Sequence, residues 1–405
     1  MKIKNPLILI GTAFVFSLPL FAKKSSMEKE IHLTREETIL LIREDFGRKK
    51  AAFRTMEIRV LKKCSGDFSQ ENIPEGNIIL PEKTHVTIEI DGFNHELTDR
   101  FRRQFMTNSG QKILTASLYD SIPYRPYIKK LLKEHDMPMF LQYLPVIESN
   151  YKTRAVSKSG AKGLWQFMTN SMHPFLKMNT WYDERLDPWK ETEAAIKKLK
   201  DNYMMFHSWP EALAAYNMGA GALKRVMKQH PGKNYWALSE SNLIPAQTAY
   251  YVPKLLAVAD LVENAEYYGL IEVSLADKMI EDAEVPEYEY VQVAGMISLE
   301  QISSLSGIER QTMDFLNPAL LRKCTPAGEK YMLRVPGGKT ENVKEALEKA
   351  NVASDAVVHN VKQGDSLWAI SRMYEISVED LCSANGINRN GILSINQKII
   401  IPVFK

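Results

Sequence analysis

The sequence predicts a mainly α-helical domain followed by two small α+β modules, each with the order strand–helix–helix–strand (βααβ). From about residue 95 to 269, apolar residues recur at the spacing of helices, and almost no strand pattern interrupts them. Two later segments resemble each other at a constant offset, with Ser298 aligned to Ser366 and Asn317 to Asn385. Each segment ends in an apolar strand closed by a proline. The expected units are 95–270, 288–336 and 357–403, with a charged, helix-forming linker over 337–356.

Individual helices can be assigned inside the 95–270 domain. The pattern predicts helices over Thr192–Phe206, Pro210–Met227 and Thr248–Ala265, and a further helix that includes Phe140 to Glu148. We expect Gly219 to end or loosen the second of these helices. The polar residues considered below therefore lie on several separate helices or next to them.

The start of the chain is typical of an export signal. Lys2 and Lys4 precede an apolar run from Pro6 to Ala22, after which lysines return. We expect residues 1–22 to be a signal peptide cleaved after Ala22, followed by an N-terminal extension over 23–94. An uncleaved segment would instead associate the chain with a membrane, although the run is short for a full span. Either reading predicts an exported protein of the periplasm or cell envelope.

The composition excludes several classes of function. The chain has 45% hydrophobic and 25% charged residues, which is typical of a folded globular protein. Its formal net charge of +3 is too small to indicate nucleic-acid binding, which needs a concentrated basic face. The three cysteines, Cys64, Cys324 and Cys382, are scattered and do not have the spacing of zinc ligands. We expect most of them to be free thiols, and we expect no metal site.

Four short strings in the helical domain carry the candidate site residues. In chain order they contain Glu148-Ser149, Gly163 with Gln166, Tyr216-Asn217, and Gln247 with Tyr251. Glu148 closes an apolar helical stretch, and the nearest basic residues in sequence are Lys152 and Arg154. A carboxyl group with little solvent and no adjacent cation has a raised pKa, which suits a general acid near neutral pH. Gly163 would permit a close approach to a ligand, and Gln166 offers a donor and an acceptor to an acetamido group.

Each string alone is weak evidence, because a glutamate at the end of an apolar helix is usually a capping or surface residue. In this combination and order, however, the strings resemble those of the family 1 lytic transglycosylases, whose domain is similar to goose-type lysozyme. The resemblance implies a lysozyme-like fold and Glu148 as both catalytic acid and base. It also implies a glycan groove lined by a set of polar side chains, namely Ser149, Gln166, Tyr216, Asn217 and Tyr251.

The chain departs from the family pattern at three points. Gln247-Thr248 stands where the family usually has Glu-Thr, which removes a secondary carboxylate from the groove. Met218 stands where a small residue is usual, which would narrow or reshape the site. No cysteine precedes Cys64, so the lipid-anchoring cysteine that is frequent in such enzymes is missing.

The reaction that the resemblance implies acts on peptidoglycan glycan strands and needs one carboxyl group. Protonated Glu148 would donate to the glycosidic oxygen that leaves C1 of N-acetylmuramic acid, while the substrate's own acetamido oxygen stabilises the positive centre. The resulting carboxylate would then take the proton of the C6 hydroxyl of the same sugar, which attacks C1. The product is a 1,6-anhydro end, formed without water and without any cofactor.

Two alternatives come from different readings of the same domain. Ordinary glycosidases use two carboxylates, so a hydrolytic muramidase could use Asp183 or a neighbour to activate water. We interpret these acids as structural, with Asp187 before Pro188 as a helix N-cap and Asp183 paired with Arg185. The other alternative is a non-catalytic wall-binding protein, against which the intact Glu148 and its companion strings argue.

The 357–403 module opens with a string that resembles a lysin motif (LysM): Gly364-Asp365-Ser366-Leu367, then Trp368. The resemblance implies binding of N-acetylglucosamine-containing chains in a shallow groove between the first strand–helix loop and the second helix–strand loop. Gly364, Asp365, Ser366 and Leu367 fall on the first of these loops, although Leu367 is also expected in the core of so small a domain. In the 288–336 module Met296-Ile297 replace the Gly-Asp pair, which leaves its glycan binding open.

Overall fold

The structure is a computed structural model that describes residues 88–404, apart from positions 282 and 284. The expected signal segment 1–22 and nearly all of the extension 23–94 lie outside the described residues. Within the described part of the chain, none of the helices combines the length and apolarity that a bilayer crossing requires.

The helical domain is built from short helices joined by tight turns. In chain order they are α1 Glu96–Met106, α2 Asn108–Ser121, α3 Arg125–Glu134, α4 Leu144–Ser149, α5 Pro188–Phe206, α6 Trp209–Met218, α7 Ala220–Gln229, α8 Tyr235–Glu240, α9 Ala246–Ala249, α10 Tyr251–Glu263 and α11 Ile271–Glu281. Single 3₁₀ turns over Met139–Tyr143 and Glu184–Leu186 precede α4 and α5. The helix expected over Pro210–Met227 is two helices, because the chain turns at Gly219 with a φ of 90°.

Helix α10 forms the centre of the helical domain. Its residues from Tyr251 to Val262 are buried apart from Lys254, and α1 and α6 pack against it. A helix that is apolar on nearly all sides is stable only inside a core, where each buried leucine or valine contributes about 1.5–3 kcal/mol. The first turn of this rigid helix therefore holds Tyr251 in a fixed position.

The two C-terminal modules have the βααβ order that the sequence repeat predicts. The first comprises β1 Tyr288–Ala294, α12 Leu299–Ser306, α13 Arg310–Leu316 and β2 Lys330–Pro336. The second comprises β3 Asp355–Asn360, α15 Leu367–Met373, α16 Val378–Asn385 and β4 Lys398–Val403. In each module the two strands pair antiparallel, β1 with β2 and β3 with β4.

The repeated asparagine explains why both modules close in the same way. Asn385 donates to the Ile400 carbonyl oxygen at 2.7 Å and accepts from the Ile400 N–H at 2.7 Å. Asn317 makes the equivalent pair of bonds with Arg334, at 2.8 and 2.9 Å. One amide side chain therefore satisfies both backbone groups of a strand residue and fixes the second helix to the second strand in each copy.

The segment expected as a linker, 337–356, differs from that expectation. It contains α14, Thr340–Lys349, whose Val343 and Ala346 are buried against the first module. Its last two residues already belong to β3. An amphipathic helix with its apolar face buried is part of the fold it covers, so α14 belongs to the first module.

Candidate functional site

A pocket of about 660 Å³ opens on the helical domain between α4, α5, α6 and α10. The side chains that line it come from well-separated parts of the chain: Ile147, Glu148, Ser157, Ser159, Ala161, Gln166, Met168, Asn170, Ser171, Lys198, Tyr216, Asn217, Met218, Gly219, Gln247, Tyr251 and Lys254. Among the described residues, Glu148 is the one carboxylate in this lining. A concave polar site with a single acid is the strongest candidate for a functional site.

Glu148 lies near the end of the short helix α4, which terminates at Asn150 in the left-handed region. The Tyr251 hydroxyl donates a hydrogen bond to Glu148 Oε1. Burial raises the pKa of Glu148 to about 7, although the Tyr251 hydrogen bond and the charge of Lys198 both lower it. Near neutral pH this group therefore exists in both protonation states, as a proton donor and acceptor must.

Two tyrosines, Tyr216 and Tyr251, line the pocket together with Glu148. The Tyr216 hydroxyl donates to the Trp165 carbonyl oxygen at 3.0 Å, and Tyr251 donates to Glu148. Burial raises the pKa of both hydroxyls well above their ordinary value, and the Glu148 charge adds to this effect. Both tyrosines therefore stay protonated and act as donors across the pH range in which Glu148 titrates.

Gly163 packs against the protein's own interior. The sequence predicted instead a close approach of the chain to a ligand at this position. Its φ is 86°, and a Cβ there would lie 1.8 Å from the Arg185 carbonyl oxygen and 2.5 Å from both Glu191 carboxylate oxygens. Glu191 in turn accepts hydrogen bonds from the N–H groups of Leu164 and Trp165, at 2.6 and 3.0 Å. Only glycine permits this approach, through which Glu191 fixes the loop that leads to Gln166.

Gln166 faces the pocket as expected, but half of its amide is already used. Its Nε2 donates to the Gly163 carbonyl oxygen at 2.8 Å and to that of Ala155 at 3.3 Å. The backbone of Gln166 has a φ of 52°, which the surrounding turn must support. The amide oxygen is the group that remains for a ligand, so this side chain offers an acceptor instead of both functions.

Ser149 lies behind the pocket wall, which corrects its expected place in the groove. Its side chain is buried, and its hydroxyl donates to the Leu164 carbonyl oxygen at 2.8 Å. That bond joins the end of α4 to the loop that carries Gln166. Ser149 therefore positions Glu148 relative to Gln166 and does not line the cavity.

Asn217, at the end of α6, faces the pocket beside Met218 and Gln247. Its Oδ1 accepts a hydrogen bond from the Thr248 hydroxyl at 2.8 Å. The Gln247-Thr248 string thus contributes through both residues, with Gln247 in the lining and Thr248 holding Asn217. The two departures noted from the family pattern, Gln247 and Met218, lie side by side in the wall of one cavity.

The pocket lining includes two lysines that the sequence patterns do not indicate, Lys198 and Lys254. Lys198 lines the pocket, with Nζ 4.6 Å from the centroid of the Tyr216 ring and 5.1 Å from that of Phe167. Burial lowers the pKa of Lys198, and the Glu148 charge acts in the opposite direction. Lys198 lies on α5, whereas the basic residues nearest to Glu148 in sequence are Lys152 and Arg154. No local sequence pattern connects Lys198 with Glu148, because the two residues meet only in the fold.

The acidic residues before α5 are structural, as the sequence predicts. Asp187 caps α5 by accepting from the N–H groups of Trp189 and Lys190, at 3.2 and 3.1 Å. Asp183 pairs with Arg185 at 2.7 Å and with Lys162 at 3.2 Å. Although burial acts to raise the pKa of Asp183, these hydrogen bonds hold it below its ordinary value. Neither acid lines the pocket.

The string Gly364-Asp365-Ser366-Leu367 forms the turn into α15 of the second module. Asp365 accepts from the Lys362 N–H at 2.7 Å and contacts His359 Nε2 at 2.8 Å, while Ser366 caps α15. Leu367 is only 6% exposed and belongs to the core, as expected for so small a domain, so its side chain is not open to a ligand on this loop. The sequence analysis gave no role to Trp368, which is 64% exposed with Arg372 over its ring.

Metal-binding geometry is absent from the described residues, in which no three His, Cys, Asp or Glu side chains come together as ligands. Cys324 and Cys382 are both free thiols. The polar atoms available to a ligand in the pocket are therefore hydroxyl, amide, carboxyl and ammonium groups.

Comparison with protein-family models assigns these regions. Residues 125–239 match the model "Transglycosylase SLT domain", and 359–402 match "LysM domain". Residues 287–352 match "Lytic transglycosylase MltD, LysM-like domain", a range that includes α14. The chain carries an SLT domain and two LysM-type modules. Every helix from α3 to the start of α8, and with them most of the pocket wall, falls within the SLT match.

Proteins of known name are similar to parts of this chain. "Membrane-bound lytic murein transglycosylase D" of Escherichia coli is 26% identical over 297 residues, in strain K12 and in strain O6:H1 alike. That alignment covers 69% of this chain and spans 63% of the length of those relatives. "Probable endopeptidase p60" of Listeria innocua is 43% identical over 47 residues, which cover 12% of this chain and 10% of that protein.

Proposed function

We propose that this chain is an exported peptidoglycan lytic transglycosylase, a carbon–oxygen lyase that acts on a polysaccharide. It cleaves the β-1,4 bond between N-acetylmuramic acid and N-acetylglucosamine and leaves 1,6-anhydro ends. The SLT and LysM matches, and the printed name of the Escherichia coli relatives, support this class of reaction. The observation that carries the proposal is the single carboxyl group of the pocket, Glu148, with its pKa raised to about 7.

Glu148 acts first as an acid. Because Tyr251 donates to Oε1, Oε2 carries the proton that passes to the leaving glycosidic oxygen. The substrate's acetamido oxygen stabilises C1 as the bond breaks. The amide oxygen of Gln166 accepts a hydrogen bond from the acetamido N–H and so orients that group.

Glu148 then acts as a base. Its carboxylate removes the proton of the C6 hydroxyl, whose oxygen attacks C1 of the same sugar and closes the anhydro ring. The donated proton leaves with the released sugar hydroxyl, and Glu148 returns to its protonated state. The Tyr251 hydrogen bond and the Lys198 charge both stabilise the carboxylate that exists between the two steps.

The geometry disfavours the hydrolytic muramidase on the same fold. Such an enzyme needs a second carboxylate to activate water, at a defined distance from the first. Asp183, the sequence candidate for this role, is buried in its pair with Arg185 and lies outside the pocket lining. A non-catalytic wall-binding protein would have no use for a buried acid with a pKa of about 7 that opens into a cavity.

The LysM domain over 359–402 directs the enzyme to its substrate, the glycan strands of the cell wall. In the second module, Gly364, Asp365 and Ser366 form a turn that is accessible to such a chain. The proposed location is the periplasm or cell envelope, with membrane association if the segment over 1–22 is retained.

Digestion of purified sacculi tests both the reaction and the catalytic residue. The wild type is expected to release muropeptides with 1,6-anhydro ends, which are one water lighter by mass spectrometry than reducing ends. Glu148→Gln is expected to abolish turnover while leaving binding to sacculi intact. Products with reducing ends would identify a muramidase, and unchanged turnover in Glu148→Gln would remove the catalytic assignment.

A further inference from the structure

The two LysM-type modules share one fold but present the same loop to different surroundings. In the second module, the turn between β3 and α15 is largely open to solvent, from Lys362 to Ser366. In the first module, the equivalent turn between β1 and α12 is buried, with Met296 only 5% exposed and Ile297 only 2%. The difference therefore lies in what covers each loop.

The chain itself covers the first loop. Met296 donates to the Ala353 carbonyl oxygen at 2.8 Å and accepts from the Ala353 N–H at 3.0 Å, as a strand pair would. The Met296 side chain packs in one apolar cluster with Ala384 and Ile400 of the second module. The segment after α14 and the second module together therefore occupy the face on which this loop would meet a ligand.

The loop between α13 and β2 of the first module is covered from the other side, by the SLT domain. The Asp183 N–H donates to the Ala319 carbonyl oxygen at 3.0 Å, and the Leu321 N–H donates to the Trp181 carbonyl oxygen at 2.9 Å. Leu320, between these two residues, is buried. Backbone pairing of this kind satisfies groups that a glycan would otherwise have to reach.

A buried ion pair joins the first module to the start of α5. The Arg334 guanidinium of β2 donates to Asp187, and each side chain is 2% exposed. The guanidinium also lies 5.1 Å from the ring centroids of Trp189 and Tyr288. Asp187 is the N-cap of α5, the helix that carries both Glu191 and Lys198 into the site.

We infer that the first LysM-type module is a fixed bracket whose two ligand-side loops bind this chain itself, so that glycan binding resides in the second module. Arg334 is a positioning residue in this bracket. It holds the start of α5, and Glu191 on that helix holds the loop from Leu164 to Gln166. A module that resembles a binding domain is thus a structural part of the catalytic site, whichever bond the site cleaves.

Hydrogen exchange in the full chain tests where glycan binds. The Glu148→Gln chain is incubated with N-acetylglucosamine hexamer, so that the probe stays uncut, and exchange is followed by mass spectrometry. We expect slower exchange over 362–368 and 386–396, and unchanged exchange over 295–298 and 317–325. Slower exchange over 295–298, or unchanged exchange in both modules, would overturn the inference.

A matched pair of arginine variants tests the bracket. Arg334→Met leaves Asp187 buried without its partner, so exchange of the Leu164, Trp165 and Leu321 amides should accelerate by about a hundredfold or more. Arg310→Met, in the same module but paired with Glu300 and Asp314 where solvent reaches the side chains, should leave these amides unchanged. Arg334→Lys should restore part of the protection because it keeps the charge.

The bracket variants separate a positioning role from general stability. On a soluble glycan oligomer, Arg334→Met should lower kcat by at least about tenfold with a smaller change in KM. Its affinity for the hexamer at the second module should match that of the wild type. Unaltered exchange at Leu164 and Trp165 in Arg334→Met would refute the positioning role, and this readout does not depend on which products the enzyme forms.

Discussion

At the scale of single residues, the charge of Glu148 depends on opposing influences from its surroundings. Burial raises its pKa, while the Tyr251 hydroxyl and the Lys198 ammonium lower it, with a net value of about 7. A proton donor is most useful when its pKa lies near the working pH. Tyr251 comes from α10 and Lys198 from α5, so the balance exists only in the folded chain.

The pH dependence of turnover should report this balance. The acid step needs protonated Glu148, so kcat/KM should fall as pH rises through about 7. Lys198→Met removes a charge that favours the carboxylate, which raises the Glu148 pKa and moves this fall to higher pH by about one unit. The measurement is a pH–rate profile on a soluble glycan oligomer.

Lys254 provides the matched control for this experiment. It also lines the pocket, but its ammonium lies over the Phe101 ring, 5.4 Å from the centroid. In Lys254→Met, kcat/KM should fall at the same pH as in the wild type. The same is expected of Lys198→Arg, which keeps the positive charge. A shift to lower pH in Lys198→Met would contradict the proposed electrostatic role.

Glu148 should also lower the stability of the fold near neutral pH. Its folded pKa of about 7 lies above the unfolded value of 4.5, so the native state binds more protons between these values. Stability therefore falls as pH rises through this window. Glu148→Gln should be more stable than the wild type by about 1–3 kcal/mol at pH 8, and the gain should vanish at pH 4.

Denaturant unfolding of both proteins across this pH range measures the effect. Glu263→Gln is a suitable comparison, because Glu263 accepts from the Tyr143 hydroxyl away from the pocket. A gain for Glu148→Gln that is the same at pH 4 and pH 8 would show that ionisation of Glu148 is not its cause.

At the scale of elements, α5 carries several of the residues that position or line the site. Its N-cap is Asp187, Glu191 in its first turns holds the Leu164–Gln166 loop, and Lys198 two turns later reaches the pocket. Helix α4 contributes Glu148, and Ser149 joins α4 to the same loop. The pocket is therefore formed by short elements that hydrogen bonds connect, directly or through one loop, to the long helix α5.

Substitutions at two glycines with positive φ distinguish the cost of backbone strain from the cost of lost close packing. Gly160 has a φ of 88° with open space around it, whereas Gly163 has a φ of 86° and packs against Glu191. Gly160→Ala should cost about 1 kcal/mol of stability from the backbone alone. Gly163→Ala should cost roughly 3 kcal/mol or more, because the new methyl group displaces Glu191 or the Arg185 carbonyl group.

Thermal or denaturant unfolding of the two glycine variants gives the comparison, and turnover gives a second readout. Gly163→Ala should lose activity because the Gln166 loop moves with Glu191, while Gly160→Ala should lose little. Equal destabilisation by the two substitutions would mean that the contact with Glu191 contributes nothing beyond backbone strain.

At the scale of the whole molecule, two copies of one fold have come to differ in what surrounds them. The first module is covered by the SLT domain on one side and by the segment after α14 and the second module on the other. The second module keeps an exposed turn and an exposed aromatic ring, Trp368. Its accessible surface fits contact with a glycan chain.

Alanine substitutions at two adjacent residues of the second module, Leu367 and Trp368, should have different effects on its stability and on glycan binding. Leu367→Ala removes a core side chain and should destabilise this module by about 2–4 kcal/mol, as measured by its amide exchange. Trp368→Ala should leave that exchange unchanged but weaken binding of the full chain to sacculi by on the order of tenfold. Full binding by Trp368→Ala would remove this ring from the glycan contact.

Features set by neighbouring residues could be predicted from the sequence. The Asp187-Pro188 N-cap, the pair of Asp183 with Arg185, and the βααβ repeat with its two asparagines all match the structure. Each depends on contacts within one element or one small module, where spacing along the chain determines spacing in space.

Features set by distant elements could not be predicted in the same way. The positions of Gly163 and Ser149 behind the pocket wall depend on Glu191 and Leu164, which are distant from them in sequence. Leu367 differs, because its core position follows from the small size of its module and is confirmed. Lys198 and Arg334 were not considered, since neither lies near its partner in sequence.

The sequence was enough to predict the helical domain, the two βααβ modules, and Glu148 as the acid at the centre of the candidate site. These follow from periodicity, repetition and short strings, which are local properties of the chain. The groups that surround Glu148, the two lysines that line its pocket and the burial of the first module between its neighbours depend on the tertiary structure. Those outcomes depend on burial and on the meeting of residues far apart in sequence, and electrostatic effects become strong only where that packing removes water.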